Sequence, residues 1–231
     1  MKQAFRKLPK DIFEETYFKG WHKKVVGNFD EFDLKIAKNW FHSWIIKINK
    51  YVSLQNGENK KVLEIGCSIG AVANLLTERR FKVWATDISK FAIKRARHLT
   101  PKAHFSVLDV QKKISLGTKF DYVFCLEVVE HLEKPEVAIK NMHDVLNKNG
   151  KIILSTPYPY PWHYSDPTHI NIKHPDLWVK ILKKKGFRNV RYHRFTLFPF
   201  FYRYNKNFQI ILPFSIPIPY INSPIIFIGE K

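Results

Sequence analysis

Val62–Gly70 reads VLEIGCSIG, and this stretch decides the fold. Lys61–Ile65 is an apolar run of strand length, Gly66–Gly70 is a tight loop, and Ala71–Arg80 carries helical spacing. Strand, glycine turn and helix in that order open a βαβ unit. Glycine in such a turn lets backbone amides approach a ligand, and the helix amino terminus favours negative charge. The spacing is not the dinucleotide GxGxxG, so by itself a plain strand-to-helix turn explains it equally well.

The pattern continues in both directions. Phe81–Thr86 is a second strand ending at Asp87, with Ser89 placed to cap a helix to about Leu99. Ala103–Leu108 is a third strand ending at Asp109, and Phe120–Leu126 a fourth. Pro135 starts a helix to about Asn147, and Asn149-Gly150 turns into a fifth strand, Lys151–Thr156. A helix over Pro175–Lys185 stops at Gly186, a sixth strand spans Phe187–Leu197 and a seventh Ile225–Glu230. Upstream, residues 31–50 form an amphipathic helix through Ile36, Trp40, Phe41, Trp44, Ile45 and Ile48, expected to pack on the main domain. The organisation read here is an N-terminal helical cap over 1–57 and a cofactor-binding domain over 58–231. That domain carries an aromatic loop at 157–173 and an apolar insertion at 198–219.

Alternating strands and helices imply a parallel sheet with a ligand crevice at the carboxyl ends of the strands. Asp87, Asp109 and Glu127 each fall at such an end. Asp87 suits both hydroxyls of a ribose, and Asp109 an exocyclic adenine amine, with Val107 or Val110 near the ring.

The ordered segments VLEIGCSIG, VWATDIS, FSVLDV, FDYVFCLEVVEHL and VLNKNGKIILSTP resemble the class I S-adenosylmethionine-dependent methyltransferases, especially the ubiquinone-biosynthesis O-methyltransferase-like group, over about residues 58–187. The resemblance implies a Rossmann-like, seven-stranded, mostly parallel sheet with the last strand antiparallel and helices on both faces. It also implies S-adenosylmethionine as cofactor. Glu64, Gly66, Cys67 and Gly70 would surround its methionine part, Asp87 and Ile88 its ribose side, and Asp109 and Val110 its adenine side, with Leu126 completing the set. Ser68 stands where the family's GxGxG loop often has its middle glycine, which makes this loop slightly more polar.

LEVVEHL places Glu127, Glu130 and His131 at i, i+3 and i+4, on one side if a helical turn begins there. Two carboxylates and an imidazole suit a divalent ion, magnesium or manganese by oxygen ligation, with zinc also open. DPTHINIKHP adds His169 or His174. The metal-dependent ubiquinone and small-RNA 2′-O-methyltransferases are similar in this pattern. By that resemblance Glu127, Glu130, His131 and His169 are the ligands, and Glu130, His131 and His169 the catalytic set. In a metal-free pocket the acidic residues only cap the helix, and His131 or His169 is the general base.

Composition bounds the rest. With 45% apolar and 26% charged residues the chain is not disordered. Two cysteines without a CxxC pair exclude a disulfide scaffold and a thiolate zinc cage. The net charge is +19, and residues 158–231 hold eleven basic side chains against three acidic ones. Lys180–Lys206 is basic with interleaved aromatics, which suits RNA, an anionic membrane or a solvated face. Asn207–Gly229 lacks any charge, but four prolines exclude a spanning helix. Tyr158, Tyr160, Trp162, His163 and Tyr164 suit stacking on a flat or sugar-like acceptor, and Tyr17 and Phe18 are placed to close over the cofactor. The start, MKQAFRKLPKDIFEETYF, has no apolar h-region, so the expected location is cytoplasmic, or peripheral at a membrane.

The expected function is O-methylation of a small-molecule, lipid-linked or glycan acceptor. The alternatives are a metal-dependent RNA 2′-O-methyltransferase and a non-catalytic cofactor-binding module.

Overall fold

The computed structural model describes residues 8–9, 12–17, 34–198, 210–218 and 224–231. Phe18, Arg203 and Lys206 lie outside the described residues. Helix α1 (Leu34–Asn49) precedes β1 (Lys61–Ile65), α2 (Ala71–Thr77), β2 (Lys82–Asp87), α3 (Lys90–Leu99) and β3 (His104–Val107). Then follow β4 (Phe120–Leu126), α4 (Pro135–Val145), β5 (Leu146–Pro157), α5 (Pro175–Lys184), β6 (Arg188–Arg194), β7 (Thr196–Phe198), β8 (Ile210–Leu212) and β9 (Pro224–Glu230).

Seven strands form one sheet in the order β3-β2-β1-β4-β5-β9-β6, and β7 pairs with β8 separately. The first five strands of that order run parallel, and β9 is antiparallel to both of its neighbours. This is the Rossmann-like sheet expected from the sequence. Its order reverses between β1 and β4, which opens the ligand crevice there.

Period-2 alternation splits the core between two faces. Val62, Val83, Tyr122 and Phe124 point toward Trp44, Ile45 and Ile48 of α1, Leu76 of α2 and Ile93 of α3. Leu63, Val123, Cys125, Ile152 and Leu154 point the other way, onto Ile139 and Met142 of α4 and Trp178 and Leu182 of α5. Both faces are therefore covered, as a parallel sheet requires.

Several boundaries differ from the sequence reading. The helix after the glycine turn stops at Thr77, not Arg80. Strand β5 begins at Leu146, but its register against β4 jumps from Phe120↔Leu146 to Tyr122↔Lys151. Asn149, at φ 61°, carries the intervening bulge, so the expected turn lies inside the strand. The expected sixth strand is two strands. Beyond Arg194 the chain leaves the main sheet, Phe195 buries against Trp44, and Thr196–Phe198 pairs instead with Ile210–Leu212 of the insertion.

Candidate active site

The glycine turn is held by its own backbone. Gly66 and Cys67 N–H both donate to Thr86 O, at 2.7 and 3.0 Å, and Gly70 N–H donates to Cys67 O at 2.8 Å. Gly66 sits at φ 73°, and a Cβ there would lie 2.3 Å from Cγ2 of Val128. Only glycine meets both demands. Ser68 takes φ 49°, which explains why glycine suits that place, and its N–H donates to Oδ2 of Asp87 at 2.9 Å. Cys67 is buried in the core and contributes its backbone to the loop.

Asp87 ends β2 beside this loop, and its Oδ1 accepts from Ser89 N–H at 2.9 Å. Each oxygen thus already holds a backbone amide and keeps a lone pair for a further donor. Burial pushes the Asp87 carboxyl above its ordinary range against the pull of the Ser89, Ser68 and Ile88 amides. Glu64 lies under the turn with Oε2 buried and unpartnered, and burial raises its pKa well above normal, opposed by the Ala73 amide. An acceptor of this kind fits a cationic donor such as an ammonium group. The structure brings Glu64, Gly66, Cys67, Gly70 and Asp87 together around one loop.

Ile88 and Val107, at the ends of β2 and β3, are large apolar side chains left exposed. Val110, in contrast, is buried in the core with Ile114, so Val107 is the valine that presents its side chain at the surface. Asp109 Oδ1 accepts from Gln111 N–H at 2.9 Å in a local turn. Leu126 ends β4 at the floor of the crevice, 9% exposed.

The second constellation departs from the expected helical turn. Glu127 is in the left-handed region at φ 55°, and residues Val129–His131 form a single 3-10 turn. Glu127 consequently swings to β5, where its Oε1 accepts from Ser155 Oγ at 2.8 Å and its N–H donates to the same hydroxyl oxygen at 2.9 Å. It is near enough to act on Glu130 by charge but is not in the cluster whose ligand atoms lie within 4.8 Å of one another. Burial pushes Glu127 up to about 7, with the Ser155 hydroxyl opposing.

Glu130, His131 and His169 do converge. Among the described residues their ligand atoms lie within 4.8 Å of one another. Two backbone contacts bring the distant loop here: Asn171 N–H donates to Glu130 O at 2.8 Å, and Thr168 O lies 3.1 Å from Nδ1 of His131. Nδ1 of His169 lies 2.8 Å from His163 O. A carbonyl oxygen only accepts, so both imidazoles carry their proton on Nδ1 and present Nε2 as the basic nitrogen. Nε2 of His131 is 3.9 Å from Oε1 of Glu130.

Both Glu130 oxygens are buried and make no well-aligned hydrogen bond, although the Thr156 hydroxyl and the residue's own amide lie close enough to favour the ionised form. Burial, then the Glu127 charge, raises the Glu130 pKa well above its usual range. His131 is pushed down to about 4 by burial and by His169. His174 is not part of this cluster; it caps α5 instead.

Residues 12–17 roof the crevice. Glu14 caps α3 through Oε1, which accepts from Lys90 N–H at 3.1 Å, and Oε2, which accepts from Ser89 Oγ and Phe91 N–H at 3.2 Å. Phe13 meets His131 edge-on at 5.5 Å between ring centroids. Tyr17 packs on Ala92, and its hydroxyl reaches the Thr168 side chain. Burial, then Asp166 and Glu130, push that phenol above its usual range. Sequence reasoning placed Tyr17 near the cofactor but missed Phe13 and Glu14, for which the sequence carries no local signal. It also missed Asp166 and Thr168. Their D-x-T spacing is the mark of the side-chain turn they form, with Asp166 Oδ1 accepting from Thr168 N–H and Oγ1 at 2.8 and 2.7 Å.

The sequence model of a family described as "Methyltransferase domain" matches residues 37–192. The chain belongs to the methyltransferase domain family. It is 32% identical over 103 residues to the mitochondrial ubiquinone biosynthesis O-methyltransferase of Schizosaccharomyces pombe, covering 42% of this chain and 38% of that protein. It is 33% identical over 147 residues to the tRNA U34 carboxymethyltransferase of Campylobacter jejuni, covering 61% and 48%. This methyltransferase chain thus spans less than half the length of these two curated relatives. The solved magnesium protoporphyrin IX methyltransferase of Synechocystis, with bound SAH, shares the fold at TM-score 0.64 and 19% identity, over 96% of this chain and 98% of that one.

Proposed function

We propose that this chain transfers the methyl group of S-adenosylmethionine to an oxygen of a ring-bearing small-molecule or lipid-linked acceptor. The observation that carries the reading is the convergence of Glu64, the Gly66–Gly70 turn and Asp87 at the point where the strand order reverses, across from Glu130, His131 and His169. The buried orphan oxygen of Glu64 suits the ammonium of the methionine part, and the remaining lone pairs of Asp87 suit the ribose hydroxyls. When bound, the cofactor supplies an electrophilic sulfonium methyl.

The chain's own residues do the rest. Methyl displacement needs the nucleophile held in line, so positioning contributes most. Tyr160 stacks on Trp162 at 4.7 Å and 22°, and Tyr158 lies 4.6 Å from Tyr160, a set of ring faces suited to orienting a flat acceptor. Nε2 of His131 or His169 is positioned to take the acceptor's proton. An RNA acceptor is the second reading, favoured by similarity to a tRNA-modifying relative and by the basic C-terminal third of the chain.

Calorimetry tests the cofactor half. Asp87→Ala is expected to weaken S-adenosylmethionine binding by about 1–3 kcal/mol, because a ligand hydroxyl loses its acceptor; unchanged affinity removes Asp87 from the site. Glu14→Ala is expected to release the cofactor faster in stopped flow, because the hydrogen bonds of its carboxylate to Ser89, Lys90 and Phe91 tie residues 12–17 over the crevice. An equal off-rate means that the roof does not retain the ligand.

Glu130, His131 and His169 further fit a divalent ion. Their three ligand atoms cluster, the carboxylate makes no well-aligned hydrogen bond, and each histidine turns Nδ1 to a backbone carbonyl, the usual support of a metal-bound imidazole. A bound ion would lower the pKa of an acceptor hydroxyl. Activity lost in excess chelator and restored by magnesium, manganese or zinc is the expected result; full activity in chelator excludes the ion.

A further inference from the structure

Residues 210–218, between β6 and β9, leave large apolar side chains exposed where a connecting loop is ordinarily polar. Ile210, Phe214 and Ile218 are 62%, 55% and 48% exposed, and the segment from Ile210 to Ile218 contains no charge. It is nonetheless fixed to the body. β8 pairs with β7, Thr196 Oγ1 donates to Phe214 O at 2.7 Å, and the same hydroxyl accepts from Ile216 N–H at 2.9 Å. Holding three large apolar side chains out in water costs free energy without stabilising the fold, which marks a contact surface.

Its surroundings say what it contacts. Arg191 and Arg194 are exposed on edge strand β6, and Arg194 lies 5.4 Å over the Tyr158 ring. Arg194 pairs in register with Ile225, and Pro157 with Pro224, so the apolar segment, Arg194 and the aromatic loop share the crevice end of the sheet, while Arg191, opposite Ile228, points to the other face. Ser215 lies against the Tyr160 phenol. From there Tyr160, Trp162, His163 and His169 follow one another at ring distances of 4.7, 5.9 and 6.4 Å. Apolar side chains with an arginine beside them are the complement of an anionic bilayer, whose phosphates lie just outside its acyl region. RNA binding would call for exposed rings and cations, and gives no use to exposed isoleucines.

We infer that this segment docks the protein on an anionic lipid bilayer, with Ile210, Phe214 and Ile218 at the acyl boundary and Arg194 at the phosphates. The acceptor then passes from the lipid along the Tyr158–Tyr160–Trp162 rings to His169. This deepens, and rests on, the lipid-linked reading of the acceptor given above.

Co-sedimentation of the full chain with vesicles tests it. The chain is expected to sediment with phosphatidylcholine vesicles containing about 30% phosphatidylglycerol, and far less with phosphatidylcholine alone or at high salt. The double variant Ile210→Ser, Phe214→Ser should lose at least tenfold in vesicle affinity, and Arg194→Glu should erase the preference for the anionic lipid. S-adenosylmethionine affinity, measured by calorimetry on the same samples, should stay at the wild-type value in both variants. Wild-type protein that does not sediment, variants that sediment as well as wild type, or binding to single-stranded RNA with indifference to vesicles each overturns the inference while leaving cofactor binding standing. Wild-type protein that binds vesicles but no S-adenosylmethionine sinks the methyltransferase reading instead, so the two failures are separate.

Discussion

Glu130→Gln is expected to turn over about 10²–10⁴-fold more slowly than wild type, the range for removing a group that handles the acceptor proton or its activating ion. S-adenosylmethionine affinity should be spared, because the proposed role of Glu130 is toward the acceptor. The same change should raise stability. Glu130 is fully buried, so desolvation and then the Glu127 charge work against its ionisation, outweighing the backbone amide and the Thr156 hydroxyl, and its folded pKa stands well above the ordinary 4.5. A raised folded pKa means that the carboxyl's contribution is intact below about pH 4.5 and is lost as pH rises toward the folded value. Glutamine does not titrate. The melting temperature of the variant, read in chelator, should therefore match wild type near pH 4 and pull ahead as pH rises, by about 2–4 °C for each kcal/mol recovered. Undiminished turnover removes Glu130 from the site, and a gap that narrows with pH contradicts the burial argument.

Gly66→Ala is the second large effect. A methyl there meets Val128 Cγ2 at 2.3 Å on backbone held at φ 73°, so strain and overpacking add. Together they are expected to cost about 2–4 kcal/mol in urea denaturation. Cofactor binding should fall with stability, because the displaced residues are Gly66–Ser68, whose amides bond Thr86 and Asp87. Adding Val128→Ala should return the part due to the clash and leave the part due to φ. A single variant that melts and binds like wild type would mean that the turn is not shaped as described.

Much of this was legible in the chain because it rests on local rules. Strand and helix periods, the glycines at 66 and 70, the Ser89 cap and the carboxylates after strands 2 and 3 each follow from a few neighbouring residues. The errors fall where a neighbour outside the local window decides. The i, i+3, i+4 reading of Glu127, Glu130 and His131 assumed a helix, but Ser155 of β5 captures Glu127 and the backbone turns at φ 55° to allow it. Val110 reads as well as Val107 for the adenine side until packing buries it beside Ile114. The sixth strand looks continuous through Leu197 because nothing in its sequence says that Trp44, about 150 residues earlier, offers Phe195 a buried contact at 5.4 Å.

The sequence by itself determined the alternating layers, the sheet and the cofactor side of the crevice, since side-chain periodicity and turn chemistry act within a few residues. Only the tertiary structure decided which groups gather in the second cluster of the crevice. His169 joins Glu130 and His131 through two loop-to-turn hydrogen bonds, and Glu14 reaches α3 across some 75 residues of chain. Such contacts depend on where the sheet's register delivers each loop, and that register is set by the whole core rather than by any stretch of sequence.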